Sequence, residues 1–432
     1  MGLNEPFFSI VMPTRDRAHL LNFALQSALA QSFDDYEILV SDNCSIDNTR
    51  QVVRDLADER VRYVRTEERL SMPNNWEFAL EHARGKYVTY LSDDDALRPS
   101  LLEKLYTIIS SVHNTSIGWK HGAYHHPDSP DERERCRLGL PLFTRDIQEI
   151  PSSMVLEKMY ALDYSDHYPR LINSCTAKAF LEERKRRMGK LFVPIAPDYS
   201  VAVATLTGME RILFIDEPLM IGGLAGASMG SYSFAESTAH QTFINEFSDL
   251  ERIWRIPLSS PASPNPYNHI AVTLLNLKEI LAEELAGYSL SIDKLFIHEY
   301  QQAKVMESRG VDVRQTLQDW NEALADQSAD VQRSVREAIS PQDAAETTKA
   351  IPSAQGVAQI TGHRLKDVIQ KLRIVAQKPF TTIAQARRSA NSLSTEQSTP
   401  KEGPAPEYYD NIMKPYDNIL EATNAVEKSL RN

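Results

Sequence analysis

"FFSIVMPTRDRAHLLNFALQSALAQSFDDYEILVSD", residues 7–42, decides how this chain begins to fold. Its first apolar run, "FFSIVMP", is short and ends in a proline, the pattern of a buried strand. "RAHLLNFALQSALAQS" then carries Leu20, Leu21, Ala24, Leu25, Ala28 and Leu29 at helical spacing. "YEILVSD" is a second run of strand length. Strand, helix, strand is one βαβ unit, and the next residues repeat the pattern. "SIDNTRQVVRDLAD" opens on Ser45 or Asp47 as a helix cap. "RVRYVRT" reads as a third strand. "PNNWEFALEHARG" reads as a helix, with Pro73 near its start and Gly85 after its end, and "KYVTYLSDDD" as a fourth strand. Alternation of this kind predicts an α/β fold with a mostly parallel sheet flanked by helices.

In such sheets ligands bind beyond the carboxyl ends of the strands. Three of those ends here are polar: "PTRDR" at 13–17, "SDNCSID" at 41–47 and "SDDD" at 92–95. The last is the most telling. Two carboxylates about 4 Å apart repel by about 4 kcal/mol at an effective dielectric near 20, so an acidic triplet needs open water or a cation. A solvated Asp turn is the bland reading. Three polar turns converging on one sheet edge favour a site.

Composition narrows the class. The chain has 432 residues, 42% of them hydrophobic, enough for two or three domains with a sizeable core. A net charge of −12 argues against a nucleic-acid partner, whose footprint would be basic. Cys44, Cys136 and Cys175 are widely spaced and odd in number, which fits a reducing compartment better than a disulfide framework. No run reaches the 18 apolar residues of a membrane span, and "MGLNEPFFSI" lacks the features of a signal peptide. A cytoplasmic location is expected, with room for peripheral contact at the inner membrane face.

The order "FSIVMPTRDR", "YEILVSDNCSIDNT", "NNWEFALEHARGKYVTYLSDDDAL" resembles the family 2 glycosyltransferases, strongly over residues 7–105 and weakly over 105–235. The resemblance implies the Rossmann-like GT-A fold and an inverting, metal-dependent transfer from a nucleotide sugar to a glycan or lipid-linked acceptor. It implies a Mn²⁺ or Mg²⁺ ion on the donor diphosphate, with Asp94 as a direct ligand. Asp95 is the further candidate, held behind the ion or turned to the acceptor, and Asp93 sits near the donor ribose. The family's longer motif begins with an acid where this chain has Ser92, so the division of roles among the three stays open. Pro13, Thr14, Asp16 and Arg17 would line the nucleotide pocket. Asp42 would accept a hydrogen bond from the base, which favours a UDP-sugar, although Ser41 replaces the first of two acids often found there. Arg69 and Asn75 fall where donor-contacting residues occur. The general base would be Asp198 in "VPIAPDYSVAVATL", at the start of an apolar helix whose dipole should hold the carboxylate ionised. A plain helix cap is the competing role.

Two other classes share parts of this pattern. A sugar nucleotidyltransferase needs a Gly-rich loop after its first strand, and "MPTRDR" has no glycine. A catalytically silent nucleotide-binding scaffold, acting through its helical C-terminal half, would have no need of Asp93, Asp94 and Asp198. The chain also lacks the Q-x-x-R-W motif of processive synthases, which favours transfer of a single sugar.

The remaining organisation is coarser. Residues 1–235 are expected to form the nucleotide-sugar-binding catalytic domain, with "RILFIDEPLMIGG" a strand. The following Gly222, Gly223, Gly226 and Gly230 suggest a lid or plain turns. "WKHGAYHH" offers Trp119, His121, Tyr124, His125 and His126 either to a core or to an acceptor groove. Residues 236–345 form a helical domain, including "YNHIAVTLLNLKEILAEELAG", "SIDKLFIHEYQQAKVMESRG" and "VRQTLQDWNEALADQ". The basic helical segment 346–395, with its cations at 349–388, is either a solvated face or a contact for an anionic membrane. Residues 396–432 read as a Pro/Ser/Glu-rich disordered linker and a short terminal helix that docks back or binds a partner. An oligomeric state is compatible with all of this.

Overall fold

A computed structural model describes residues 5–112, 116–129, 132–226, 228, 242–247, 249–257, 265–339 and 416–431. The first ninety residues follow the alternation read from the sequence. Strand β1 (Phe8–Thr14) leads to helix α1 (Ala18–Leu29), β2 (Tyr36–Asp42), α2 (Thr49–Leu56), β3 (Val61–Arg65), α3 (Met72–His82) and β4 (Tyr87–Tyr90). These four strands are parallel, in the order β3-β2-β1-β4. Alternate residues of a strand face opposite sides, and β1 obeys this rule. Ile10 and Met12 join one core with Leu21 and Leu25 of α1, while Val11 joins another with Trp76 and Leu80 of α3.

Beyond β4 the sheet becomes mixed rather than mostly parallel. The chain adds β5 (Ala96–Leu97), α4 (Leu101–Ile109), β6 (Ser116–His125), β7 (Leu138–Gly139), β8 (Ile147–Pro151) and α5 (Ser152–Tyr160). It continues through β9 (Ser174–Ala177), α6 (Lys178–Met188), α7 (Pro197–Gly208) and β10 (Arg211–Leu224). The whole path runs β3-β2-β1-β4-β9-β6-β10-β5, with β7 on β6 and β8 on β10. β6 and β10 are parallel, and the other pairings in this half are antiparallel. The sequence shows little of β6, because "SIGWKHGAYH" is interrupted by two glycines, a lysine and a histidine. Its Trp119 and Tyr124 are fully buried, so they serve the core and do not stack on an acceptor.

A helical region follows: α8 (Leu250–Ile253), α9 (Pro266–Ile280), α10 (Ile292–Ser308), α11 (Arg314–Ala325) and α12 (Ala329–Ala338). Helix α9 stops at Ile280, short of the Gly287 expected from its apolar face, yet Leu281 and Leu285 of the following turns stay fully buried. Leu274 and Leu277 of α9, Phe296 of α10 and Trp320 of α11 share one core with Val201 of α7 and Val11 of β1. Each buried leucine there contributes about 1.5–3 kcal/mol. Thr273 of α9 also accepts the backbone N–H groups of Ile195 and Ala196, at 2.9 Å each, and so fixes the loop before α7. The basic segment 349–388 and most of the linker lie outside the described residues. Helix α13 (Ile419–Arg431) returns to the sheet edge beside β5 and β10.

Candidate active site

Register brings the strand ends level. Thr14 lies opposite Asp42, and Asp42 opposite Arg65. Val11 lies opposite Tyr90, so three further steps on each strand set Thr14 beside Asp93. The contact is direct: Thr14 Oγ1 donates to Asp93 Oδ2 at 2.7 Å. The first two turns lock together. Asn43 N–H donates to the Thr14 carbonyl at 2.9 Å. Asp16 N–H donates to Ser45 Oγ at 2.9 Å, and its own Oδ1 accepts from Ile46 N–H at 2.7 Å. Asp47 accepts from Ala18 N–H at 2.8 Å and from Thr49 N–H at 3.0 Å, so the capping carboxylate serves both helices. Asp16 and Cys44 hold left-handed backbones, with φ of 54° and 57°. An aspartate tolerates that region through local hydrogen bonds; a cysteine there is uncommon.

The acidic triplet is not a solvated turn. Asp93, Asp94 and Asp95 are 4%, 6% and 6% exposed. Arg17 Nη1 lies 3.0 Å from Asp93 Oδ1 and 4.0 Å from Asp94 Oδ2. Ser228 donates to Asp94 Oδ2, and His126 Nε2 donates to the Asp94 carbonyl at 2.9 Å. Gly223 N–H donates to Asp95 Oδ1 at 2.8 Å. Burial, with a smaller push from the Asp94 charge, raises the Asp93 carboxyl above its ordinary range, although Arg17 pulls it back. The same causes raise Asp95 well above that range. Asp93 and Asp94 share the Arg17 guanidinium while Asp95 has the Gly223 N–H, so the three carboxylates leave surplus negative charge, and burial penalises the ionised forms of Asp93 and Asp95. A divalent cation would offset both, so the donor set fits such an ion. Among the described residues no group of three or more His, Cys, Asp or Glu is placed to hold a metal alone. An ion here would take one or two carboxylates and complete its shell with substrate oxygens, as Mg²⁺ does.

The other residues expected to contact a donor gather around this point. Asp42 is wholly buried: its Oδ1 accepts from Ser45 N–H at 2.8 Å, and its Oδ2 from the Tyr63 hydroxyl and from Arg65 Nη1 at 2.8 Å. Arg69 pairs with Asp16 at 2.8 Å. Pro13 lies opposite Ser41, whose hydroxyl donates to Asn75 Oδ1 at 3.0 Å; Asn75 therefore supports the end of β2 from below. Sequence reasoning missed Tyr63, Arg65 and Ser228, and offered His126 only to a core or an acceptor groove. Arg65 could have been found, since it ends the third strand of a predicted parallel sheet. The contacts of Ser228 and His126 depend on tertiary approach. Two of the glycines expected to form a lid or turns, Gly222 and Gly223, lie instead within β10. A Cβ on Gly223 would fall 1.8 Å from the Asp94 carbonyl oxygen, so only glycine permits that approach. Gly226 lies against Asp128, and Gly230 is outside the described residues.

Asp198 stands in the first turn of α7, after Pro197. Arg170 Nη1 is 3.7 Å from its Oδ2, and the Arg170 guanidinium sits 5.6 Å from the centre of the Tyr199 ring. Burial raises the Asp198 carboxyl, and Arg170 and the backbone N–H groups of the first turn only partly offset it. The expected lowering by the helix terminus is therefore overruled by desolvation. His121 lies on the Gly222 side of the triplet and senses the charge of Arg170. A Cβ on Gly222 would lie 3.6 Å from His121 Cδ2 and 3.9 Å from Asp95 Oδ1. Burial and the Arg170 charge push the His121 imidazole down to about 4, so it is neutral. His121 Nδ1, Arg170 Nε and Asn173 Oδ1 are buried and have no hydrogen-bond partner among the described residues. A cavity of about 680 Å³, lined in part by Ser71, Asn74, Lys190 and Glu246, lies to one side. Glu246 pairs with Arg15 of the first turn at 2.6 Å, so the cavity borders the site without containing the carboxylates.

Part of the chain matches known proteins. Residues 9–150 match the model of the family described as "Glycosyl transferase family 2". Over 103 residues the chain is 40% identical to the GalNAc(5)-diNAcBac-PP-undecaprenol beta-1,3-glucosyltransferase of Campylobacter jejuni, covering 23% of this chain and 33% of that protein. Over 122 residues it is 29% identical to the UDP-Glc:alpha-D-GlcNAc-diphosphoundecaprenol beta-1,3-glucosyltransferase WfgD of Escherichia coli, covering 28% of this chain and 47% of that protein. The chain thus spans between a third and a half of these two relatives. Among solved structures, S. aureus TarS 1–349 in complex with UDP-GlcNAc is 16% identical, with a TM-score of 0.44 over 76% of this chain and 81% of that one. The turns at 13–17 and 41–47 and the acidic triplet all fall within the matched span, and this first third of the chain, residues 9–150, is what matches glycosyl transferase family 2.

Proposed function

We propose that the protein is an inverting glycosyltransferase that moves one sugar from a nucleotide-sugar donor, a UDP-sugar by preference, to a glycan or lipid-linked acceptor. One observation carries the reading: three buried carboxylates converge with two interlocked turns at the carboxyl edge of the sheet. The names of the matched relatives, which act on undecaprenol-linked sugars, support the acceptor class. Such an acceptor sits in a membrane, and peripheral contact suits it. Among the described residues no helix is long and apolar enough to cross a bilayer.

Asp94 and Asp95 would hold Mn²⁺ or Mg²⁺, with Asp93 close by at the ribose. Bound there, the ion would stabilise the charge that grows on the departing diphosphate. Thr14 and Arg17 orient Asp93, and Pro13, Asp16, Asp42, Arg69 and Asn75 shape the nucleotide pocket. Asp198 accepts the proton of the acceptor hydroxyl as that oxygen attacks the sugar's reactive carbon, opposite the leaving group. Arg170 beside it stabilises the carboxylate form. The unpartnered atoms of His121, Arg170 and Asn173 suit a polyhydroxyl ligand, since buried polar groups are normally satisfied. The test is thermal shift with UDP-, GDP- and dTDP-sugars, each with and without Mn²⁺. A stabilisation by one base that grows with Mn²⁺ supports the reading; no response to any of them removes it.

A further inference from the structure

Helix α13 lies more than three hundred residues after the acidic triplet, yet it packs directly behind it. Its fold is locally encoded. Asn418 Oδ1 accepts from Glu421 N–H at 2.9 Å, and Glu421 Oε2 accepts from Asp417 N–H at 3.1 Å, a reciprocal cap. Ile419, Ala422, Thr423 and Val426 repeat at helical spacing and are all buried. The first, second and last of these close over Ala96, Tyr124, Leu138 and Ile221.

That contact bears on the triplet because Ala96 follows Asp95. Ala96 and Leu97 make up all of β5, a two-residue strand paired with Ile221 and Met220 of β10. Two residues further along β10, Gly223 holds Asp95. The next residue after β5, Arg98, is 2% exposed. Its Nη1 meets Glu217 at 2.8 Å, while its Nε and Nη2 meet Glu427 of α13 at 2.9 and 2.8 Å. Ser100 Oγ also donates to Glu427, at 3.3 Å. Without α13 the outer side of β5 would face water, and a buried guanidinium would lose one of its two carboxylates. On its other side β5 is held by Ser27 Oγ, which accepts the Leu97 N–H at 3.1 Å, and by Leu97 in the α1 core, so α13 is the cover of its Ala96 face.

We infer that α13 is a clasp for the Asp94–Asp95 loop, with Glu427 and Arg98 as positioning residues, so that the end of the chain sets the metal-dependent part of donor binding. This rests on the proposed function for its ligand, but its first readout does not. In the full chain, the amides of residues 94–98 exchange slowly with solvent deuterium. In a protein ending at residue 415 they exchange at least tenfold faster, while those of β1 and β2 are unchanged. Added peptide 416–431 restores protection. The second readout is UDP affinity. Its increment on adding Mn²⁺ falls at least tenfold in the shortened protein and severalfold in Glu427→Gln, while metal-free UDP affinity stays the same. The peptide restores the increment. Unchanged exchange at 94–98 in the shortened protein, or a loss the peptide does not restore, overturns the clasp. A full chain that binds no nucleotide, yet shows the exchange effect, overturns only the reading of function.

Discussion

At the scale of single residues, the site is a problem of charge held out of water. Asp93 sits against Thr14 and Arg17, and Asp94 faces the backbone of β10. Asp93→Asn and Asp94→Ala should each lower transfer by roughly a hundredfold or more, the scale of losing one preorganised charge stabiliser. Near-wild-type rates in Asp94→Ala would contradict the metal role. Asp198→Asn should lose about 10²–10⁴ in rate, the scale of a general base, with donor binding intact. The pH profile gives a sharper test. Burial raises the Asp198 carboxyl and Arg170 lowers it, so if Asp198 is the base the acid limb of kcat should lie above the ordinary carboxylate range. Removing the cation in Arg170→Met should move that limb to higher pH. A limb that stays in place, or moves down, would show that another group titrates.

At the scale of elements, close backbone approach explains which glycines matter. A Cβ on Gly85 would sit 2.4 Å from the Ser9 nitrogen and 2.5 Å from the Phe8 carbonyl carbon. Backbone cannot yield as a side-chain tip can, so Gly85→Ala should cost more than about 2 kcal/mol in urea unfolding. Gly223→Ala works differently, because its clash is with the Asp94 carbonyl at the end of β10. It should abolish the Mn²⁺-dependent gain in nucleotide affinity and leave metal-free affinity nearly unchanged. Equal metal dependence in variant and wild type would mean the triplet can move aside. The strands β1, β2 and β4 were legible because each is a largely apolar run bounded by turn residues, and β3 as a short Val- and Tyr-bearing run between two helical stretches. β6 was not: a strand buried within a sheet can carry Lys120 and His121 when neighbouring loops receive them. Lys120, for instance, donates to the Leu142 carbonyl at 2.7 Å.

At the scale of the whole molecule, the helical region and the sheet share a core. Val11 and Trp76 on the sheet side belong with Leu274, Phe296 and Trp320 on the helical side. The fluorescence of Trp76 and Trp320 should therefore change in one thermal transition, and Leu274→Ala should lower both together, at a cost of about 2–5 kcal/mol. Two separated transitions would show that the halves fold independently. Thr273 gives this coupling a functional side, since it holds the loop that leads to Asp198. The helices after residue 265 thus reach the loop before Asp198, and α13 packs on the residue that follows the acidic triplet.

The sequence by itself determined the parallel βαβ start, the three polar turns at one edge and the acidic triplet among them. Local periodicity and chain direction are enough to set strand ends side by side. It also marked Asp198 as the opening of a helix. Only the tertiary structure decided that the triplet is buried, that Arg17 and Ser228 reach it, and that Asp198 is raised rather than lowered. Those outcomes depend on which distant groups exclude water from a carboxylate, and desolvation is a property of the assembled surroundings that no local stretch of chain carries.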